Sequence, residues 1–272
     1  MNDICTICPR NCAVDRVNRL GKCKSPLDVV VHDSMIHRGE ESVISGTKGS
    51  GTVFFAGCNL GCVFCQNHYI SQNCNGTVLT VAQLAEVFLK LEKSGVHNIN
   101  LVTPSHFVPP IVSAIKSAKE RGISIPFVYN SNGYDALSSL AMLDGLIDIY
   151  MPDLKFADDT LGLRYLGVPD YFTVAQKALA EMYRQVGKPV IANGIMQKGV
   201  LIRHLVMPGQ SDDSMKALSW IKENTPFAIV NLMDQYRPAY RAREYKEINR
   251  GITASEFRMM DEYLSKLGLE MV

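Results

Sequence analysis

The chain has 272 residues, of which 47% are hydrophobic and 20% are charged, and its formal net charge is +1. A charge so close to zero gives no electrostatic reason to expect binding to nucleic acid or to an anionic membrane. No apolar run reaches the roughly 18 residues of a membrane span, and the start of the chain lacks the basic-then-apolar pattern of a signal peptide. We therefore expect a cytoplasmic protein with no membrane partner, of a length that suits a single α/β barrel.

Eight cysteines are present, and all except Cys74 fall into two close sets. In a reducing compartment such sets indicate metal ligands rather than disulfides. The first set lies in a segment comprising residues 1–50 and consists of Cys5, Cys8, Cys12 and Cys23. Four thiolates can close a tetrahedral metal site, and a segment with so little core would be stabilised by a bound metal. Zinc and a second iron–sulfur cluster both suit this spacing, and four unligated thiols are the alternative.

The second set follows the first strand-like run, 52–56, and has the spacing C-x3-C-x2-C at Cys58, Cys62 and Cys65. Three thiolates on one loop can bind three irons of a [4Fe–4S] cluster and leave the fourth iron without a protein ligand. An open coordination position is typical of a reactive metal centre. The alternatives are a zinc site, although zinc favours four ligands, and cysteines that are close by chance.

At these residues the chain resembles the radical S-adenosylmethionine (radical SAM) superfamily, whose signature is C-x3-C-x2-C. Phe64, Gln66 and Asn67 are similar to the branch of pyruvate formate-lyase activating enzymes, and the resemblance runs from about Gly51 to Tyr236. It implies that SAM binds the fourth iron and is cleaved by one electron to methionine and a 5′-deoxyadenosyl radical. It also implies an electron donor such as flavodoxin or ferredoxin, and anaerobic chemistry. The opening C-x2-C-P-R-x-C resembles a less characterised subgroup of iron–sulfur proteins.

From residue 51 onward, strand-like and helix-like segments alternate, which predicts a parallel sheet wound with helices. The predicted strands are 52–56, 98–102, 125–129, 147–151, 200–206 and 228–232, and the predicted helices are 80–95, 110–121, 136–143, 169–187, 213–222 and 255–267. Six such units match the partial (β/α)6 TIM-type barrel of the superfamily. We expect residues 51–240 to form this barrel and residues 241–272 a C-terminal helical extension.

In parallel barrels the chemistry lies at the carboxyl ends of the strands. Thr103 follows the second predicted strand, where the related branch carries Gly-Gly-Glu to hold the ammonium group of SAM. The chain departs from that motif, so backbone carbonyls or a hydroxyl would have to serve, and a plain turn is the alternative. Asn130 and Ser131 follow the third strand and resemble the Asp-Thr-Asn-Gly stretch beside the ribose and methionyl group of SAM, although Ser-Asn-Gly is also ordinary turn chemistry.

Asp153 and Lys155 follow the fourth strand and resemble a Leu-Asp-Leu-Lys motif, in which the lysine binds the SAM carboxylate. Alternate residues of an extended segment point the same way, and a surface salt bridge is the other interpretation. Arg203 lies within the apolar fifth strand and requires a buried anionic partner, for which the SAM carboxylate or ribose is a candidate. His204 faces the other side and is expected to be structural, and Gln235 follows the sixth strand as a candidate for the adenine edge.

These residues lead to the hypothesis of a radical SAM enzyme that abstracts a hydrogen atom, with a glycine of a partner protein as the substrate that the family analogy implies. Radical modification of another peptide or of a small molecule is an alternative. A rival from another class is a non-enzymatic metal or electron-transfer protein. No residue stands out in the sequence as a second catalytic acid or base.

Overall fold

The computed structural model describes residues 4–272. Within that range the strands are β1 Val29–His37, β2 Ser50–Phe55, β3 Thr77–Leu79, β4 Ile99–Val102, β5 Phe127–Ser131, β6 Ile149–Pro152, β7 Val190–Ala192, β8 Ile195–Leu205, β9 Ile229–Met233 and β10 Glu270–Met271. The helices are α1 Ser42–Ser45, α2 His68–Asn73, α3 Val81–Lys93, α4 Val108–Glu120, α5 Leu137–Leu143, α6 Asp159–Leu161, α7 Tyr171–Val186, α8 Ser211–Asn224 and α9 Ala254–Leu267. A π-helical turn at Gly162–Leu166 and two 3₁₀ turns, Ala242–Glu244 and Lys246–Ile248, complete them.

Six strands, β2, β4, β5, β6, β8 and β9, lie side by side in parallel. They are the six strands that the sequence predicts, and the mixed α/β architecture of a partial TIM-type barrel is confirmed. The parallel run continues into β10 at one edge. At the other edge β1 pairs antiparallel with β2 and then with β3.

The β1 strand lies within residues 1–50, the segment that the sequence analysis treats separately, and the sequence analysis missed it. Three consecutive valines begin it, but a register irregularity between Val31 and Asp33 follows them, and the second half of the strand carries partly or fully exposed side chains. This mixture hides the period-two pattern from which a strand is predicted. The chain then crosses into the barrel, where Ile44 of α1 packs in an apolar cluster with residues such as Val128, Met151 and Leu201.

The helices begin and end where local chemistry allows. At the start of α3, the Thr80 hydroxyl accepts a hydrogen bond from the Gln83 backbone N–H, and the Gln83 side-chain oxygen accepts one from the Thr80 backbone N–H. The predicted N-cap is therefore part of a capping box. The C-terminal helix α9 has the same arrangement at Thr253 and Glu256. Because α9 contacts α8 and β10 pairs with β9, residues beyond 240 continue the barrel sheet.

One strand boundary differs in a way that matters for the site. The third predicted strand, 125–129, is observed at Phe127–Ser131, because Asn130 pairs with Val102 on one side and Met151 on the other. Pro126 cannot donate to a strand ladder. Asn130 and Ser131 therefore end the strand instead of following it, and adjacent strand residues face opposite sides of a sheet.

Among residues 4–272, no helix is both long enough and apolar enough to cross a membrane.

Candidate active site

The C-x3-C-x2-C loop follows β2 through Gly57, whose φ is +83°. A Cβ atom at this position would lie 2.5 Å from the carbonyl oxygen of Cys23 and 2.3 Å from the hydroxyl of Ser25. Glycine is therefore required both by the left-handed backbone and by the close approach of the N-terminal segment. As a result, the two cysteine sets approach each other at Gly57.

Cys62 is buried, Cys58 and Cys65 are partly buried, and Cys58 has two N–H donors near its sulfur. The Leu60 backbone N–H lies 3.4 Å from Cys58 Sγ, and the Asn132 side-chain amide lies 3.3 Å from the same sulfur. Burial raises the pKa of the Cys58 thiol to about 11 and also raises that of Cys62, with the neighbouring cysteines adding to both shifts. These sulfurs would become thiolates only when a cation compensates their charge.

These features fit an iron–sulfur cluster. Three cysteines of one loop lie within electrostatic range of one another, and N–H donors to sulfur are among the features that tune such clusters. In the described range, no three His, Cys, Asp or Glu side chains form a group that could hold a single metal ion. A [4Fe–4S] cluster does not require that convergence, since each thiolate binds a different iron. Cys58, Cys62 and Cys65 would hold the cluster, as the sequence predicts.

Asn132 is a site residue that the sequence analysis did not select. Besides its contact with Cys58, its amide donates to Asn59 Oδ1 at 2.7 Å, and the Asn59 amide donates in turn to the Tyr134 carbonyl at 2.7 Å. This network joins the cysteine loop to the end of β5. The Asn-Ser-Asn-Gly motif contained the signal, but register decides which of its residues faces the loop, and the strand end was placed two residues early.

Asp153 and Lys155 are brought together just after β6. Lys155 Nζ lies 2.5 Å from Asp153 Oδ2, and the two side chains are only 17% and 19% exposed, so the pair is not a surface salt bridge. Burial lowers the pKa of Lys155, but the negative charges of Asp153 and Cys62 outweigh this effect and hold that pKa above its ordinary value. Tyr171 accepts the Lys155 backbone N–H at 2.9 Å and donates to the Asn132 carbonyl at 2.9 Å. The ammonium is thus fixed beside the cysteine loop.

Arg203 has the buried anionic partners that its position requires, and they belong to the protein. Its Nε lies 2.7 Å from Glu41 Oε1, and Nη2 contacts both Glu41 and Glu40. Burial raises the pKa of Glu41, but the Arg203 guanidinium outweighs this effect and holds that pKa below its ordinary value. Nη1 has a weaker contact, 3.5 Å to Asn130 Oδ1, so two predicted residues, Arg203 and Asn130, meet inside the barrel.

Glu40 and Glu41 are the buried acids that the sequence analysis did not find. They directly precede α1 and enter the barrel with it. Their side chains are 9% and 5% exposed. Two adjacent glutamates in a polar stretch look like surface residues in a sequence, and only the crossing of the chain into the barrel buries them.

The remaining predicted cofactor contacts lie at different places. Thr103 has a left-handed backbone with φ +59°, which is uncommon for a β-branched residue. Ser131 donates to buried Asp135 at 2.7 Å and so faces away from Asn130. Gln235 is exposed, and its carbonyl accepts from Gln66 at 3.3 Å. The structure therefore brings Gln235 near the cysteine loop but does not bring Ser131 to the barrel interior, and the SAM contacts of all three residues stay predictions.

His204 makes the structural contacts expected of it. Its ring nitrogens bond to the Leu154 carbonyl at 2.6 Å and the Ser214 hydroxyl at 2.9 Å. Burial lowers its pKa to about 4, so the ring is neutral at ordinary pH.

The N-terminal cysteines also gather. Burial raises the pKa of the Cys8 thiol to about 12, and Cys23, Cys12 and Cys5 raise it further, which places all four within electrostatic range. The Lys22 N–H lies 3.4 Å from Cys12 Sγ. All eight cysteines of the chain are free thiols. Because no three His, Cys, Asp or Glu side chains among residues 4–272 converge as a single ion requires, this arrangement does not by itself support zinc, and zinc and an iron–sulfur cluster both stay predictions for this set.

Two arginines attach this segment to the barrel. Arg10 donates to the carbonyls of Asn59 and Gly167, both at 2.6 Å. Arg16, which is 6% exposed, donates to the carbonyl of His106 at 2.7 Å and to that of Ser25 at 3.2 Å. Every partner is a backbone oxygen, so these side chains hold the segment in place. Cys74 lies beside it, 3.4 Å from the hydroxyl of Ser25.

Comparisons with known proteins agree with this geometry. The model of the Radical SAM superfamily matches residues 52–221. The uncharacterized protein MJ0674 of Methanocaldococcus jannaschii is 32% identical over 278 residues, which span 98% of this chain and 76% of that protein.

Two solved structures share the fold. A radical SAM methyltransferase from Sphaerobacter thermophilus has a TM-score of 0.56 and 14% identity, with 98% of this chain and 82% of that chain covered. Streptococcus suis SuiB bound to S-adenosylmethionine has a TM-score of 0.55 and 14% identity over 79% of this chain. The alignment covers 47% of SuiB, so the chain spans about half the length of that relative.

Proposed function

The chain belongs to the radical SAM superfamily, and from that premise we propose that it abstracts a hydrogen atom from a glycine of a partner polypeptide. Membership confirms the superfamily that the cysteine motif predicted. It also implies SAM and a [4Fe–4S] cluster as cofactors. When bound, the cluster supplies the electron that breaks the S–C5′ bond of SAM, which yields methionine and the 5′-deoxyadenosyl radical.

The glycine substrate rests on the family analogy, and the observation that supports SAM binding and cleavage is the series of contacts from the cysteine loop into the barrel. Asn132 contacts Cys58, Lys155 lies within electrostatic range of Cys62, and Asp153 joins Lys155 to the charge network of Arg203. A cation next to the loop would bind the SAM carboxylate. Burial of these groups keeps water from the site, where it would weaken electrostatic contacts.

Three further SAM contacts are part of the proposal. Arg203 keeps Nη1 without a strong acceptor, so it can donate to a carboxylate or a ribose hydroxyl. Thr103 holds a strained backbone at the mouth of the barrel, and such strain is concentrated at functional sites. Gln235 would reach the adenine edge. The four N-terminal cysteines would hold a second metal, either zinc or an iron–sulfur cluster.

A second candidate is modification of another peptide or of a small molecule. SuiB, which shares the fold, is described as bound to the precursor peptide SuiA. The observation that favours a small polar group as substrate is the enclosed layer of charged side chains at Glu40, Glu41 and Arg203.

The test is anaerobic reconstitution with iron and sulfide, followed by reduction with dithionite in the presence of SAM. We expect 5′-deoxyadenosine and methionine in equal amounts, and none above background in Cys58→Ala. Equal product from both proteins would leave the non-enzymatic metal protein as the explanation. Incubation with a partner polypeptide deuterated at glycine decides the substrate: deuterium in 5′-deoxyadenosine supports glycine, and its absence, with turnover intact, favours the second candidate.

A further inference from the structure

The cysteine loop and the helix that follows it reach the surface of the protein on one side. Cys62 is buried, whereas Cys65 is only partly buried and is followed by the exposed residues Gln66 and Asn67. Tyr69, in the first turn of α2, is exposed as well. This surface therefore offers a short route from solvent to the cysteine loop.

Charge is unevenly distributed around this surface. Residues 49–85, which include the cysteine loop and α2, contain no Asp, Glu, Lys or Arg. Two other segments, 4–28 and 234–250, together contain ten Lys or Arg and five Asp or Glu, and thus carry a net charge of +5. Because the whole chain carries only +1, the remainder is net negative. We call 4–28 and 234–250 the basic segments.

The basic segments contact opposite ends of α2. Near the end of this helix, Lys24 Nζ donates to the carbonyl of Gln72 at 2.8 Å. At its start, the ring of Tyr240 stacks on the ring of His68, with the two centroids 4.8 Å apart. The exposed part of α2 thus lies between the two basic segments.

Each basic segment also bonds to the cysteine loop itself. Arg10, from the first segment, donates to the carbonyl of Asn59 at 2.6 Å. From the second segment, the backbone N–H of Arg241 donates to the carbonyl of Val63 at 2.8 Å. The uncharged surface at the loop is therefore bordered by positive segments that the fold holds in place.

Most of the positive charge of the basic segments is not neutralised within the protein. Arg241 pairs with Glu244 and Arg250 pairs with Glu256, both at 2.7 Å. The other exposed cations make no salt bridge among residues 4–272; they are Arg19, Lys22, Lys24, Arg237, Arg243 and Lys246. The acids of these segments that make none in the same range are Asp15, Asp28 and Asp234. An excess of cations is thus available to a partner.

Exposed aromatic side chains accompany this charge, namely Tyr69 within the uncharged surface and Tyr240 at its border. Protein interfaces are enriched in Tyr and Arg and have a core that is poor in charge inside a polar rim. A basic surface with aromatic side chains could also bind single-stranded nucleic acid, but the net charge of +1 for the whole chain argues against that partner. The pattern favours a protein with an acidic surface.

We propose that an acidic electron-carrier protein binds this surface, between the basic segments, and delivers the electron that the cluster requires. The inference rests on the proposed function, because cleavage of SAM consumes an electron that the chain does not itself supply. In this step the carrier is oxidised by one electron, the cluster is reduced by one, and no covalent bond forms or breaks. Opposite charges accelerate such an encounter, and a small interface suits a carrier that dissociates after each transfer.

The test is calorimetric titration of the reconstituted protein, without reductant, with two oxidised carriers of acidic pI, a flavodoxin and a ferredoxin. We expect at least one of them to bind. Its Kd should rise at least about tenfold between about 50 and about 300 mM salt, because salt screens exposed charges. The carrier that binds shows whether a flavin protein or an iron–sulfur protein is the source of the electron.

Charge reversal locates the surface. Arg237→Glu combined with Arg243→Glu should raise the Kd for the carrier at least about tenfold at low salt. The matched control is Lys48→Glu with Lys198→Glu, because both lysines are exposed and lie near the amino ends of β2 and β8, at the opposite end of the barrel from the cysteine loop. This control should change the Kd by less than about twofold.

Should charge reversal prevent folding, Arg237→Gln with Arg243→Gln removes the two charges without replacing them, and about a threefold increase in Kd is expected. Turnover gives a second measurement. With limiting reduced carrier, the charge-reversal variant should form 5′-deoxyadenosine at about a tenth of the parent rate. Excess dithionite, which does not need to dock, should drive both proteins equally.

Three results would overturn the inference. They are the absence of binding by either carrier, an affinity for the carrier that the charge-reversal variant and its control share, and tighter binding of a single-stranded RNA oligonucleotide than of either carrier, which would make nucleic acid the occupant. If dithionite yields no 5′-deoxyadenosine while a carrier binds as expected, only the proposed function is contradicted. Turnover with dithionite but without carrier binding contradicts this inference alone.

Discussion

The two cysteine sets lie next to each other but differ in what surrounds their sulfurs. Polar side chains that could also bind a ligand lie beside the loop at 58–65. They are the amide of Asn132, which contacts Cys58, and the ammonium of Lys155, which is within electrostatic range of Cys62. Around the set at 5–23, the arginines bond to backbone carbonyls, as Arg10 does with Asn59 and Arg16 with His106. One set faces groups that can bind a ligand, and the other is part of an anchor.

This difference in surroundings matches what the number of cysteines in each set predicts about reactivity. Three thiolates leave a coordination position free, and four thiolates close a site. The surroundings agree with that count, because polar ligand-binding groups lie beside the open set and structural bonds lie beside the closed one. The predictions below test this division.

The largest effect is expected when the N-terminal segment loses two of the cysteines that are proposed to bind a metal. Cys5→Ala combined with Cys8→Ala should lower the free energy of unfolding by about 4 kcal/mol or more, since loss of a metal site is among the most destabilising changes. Chemical denaturation measures this, and Cys74→Ala, a cysteine outside both sets, is the control with a small expected effect.

Metal analysis accompanies that experiment. About one zinc and about four irons per chain would fit a structural zinc site beside the cluster. About eight irons without zinc would indicate a second cluster. Unchanged stability and metal content in the double variant would contradict the anchoring role.

A smaller effect is expected at the ligand-binding side of the loop. Lys155→Ala should weaken SAM binding by about 1.5–3 kcal/mol, roughly 10- to 150-fold, because it removes a charge-assisted hydrogen bond. The iron content and the visible spectrum should not change, since the side chain does not bind iron. Equilibrium titration with SAM measures the change, with Lys90→Ala on the exposed face of α3 as control. An unchanged SAM affinity would refute this placement of Lys155.

The smallest effect is expected on the free energy of unfolding when the pH is lowered. Burial lowers the pKa of His106 to about 4, and its Nδ1 has no hydrogen-bond partner within residues 4–272. A histidine pKa that is lower in the folded state contributes stability above about pH 6.5, and this contribution is lost as the pH falls towards 4. Between pH 7 and pH 5 the loss is about 2 kcal/mol.

The variant His106→Gln should keep a donor for the Ala56 carbonyl, which His106 Nε2 contacts at 2.9 Å, while removing the titration. Urea unfolding at both pH values measures the slope. We expect the variant to lose about 2 kcal/mol less than the parent protein. The His106 backbone carbonyl accepts from Arg16, and a protonated ring beside that guanidinium would repel it. Limited proteolysis at pH 5 should therefore first cleave the N-terminal segment. Equal pH slopes in the two proteins would show that His106 does not titrate in this way.

Much of the barrel could be predicted because its strands are short apolar runs between clear helix caps, such as Thr80. The cysteine spacing indicated the superfamily for the same reason, since both signals are local. Glu40 and Asn132 could not be selected, because their roles depend on the crossing of residues 38–41 into the barrel and on the register of β5. Those are tertiary facts. Arg203 lies between the two cases: its need for an anion was predictable, but its partners were not.

The central claim is that SAM is cleaved at the 58–65 loop and not at the N-terminal set. The most direct measurement is 5′-deoxyadenosine formed per folded molecule by the parent protein, by Cys58→Ala and by the Cys5→Ala/Cys8→Ala double variant, all reconstituted and reduced identically. The account predicts no product above background for Cys58→Ala and turnover close to that of the parent for the folded fraction of the double variant. Product from Cys58→Ala, or its loss from a well-folded double variant, would contradict the account.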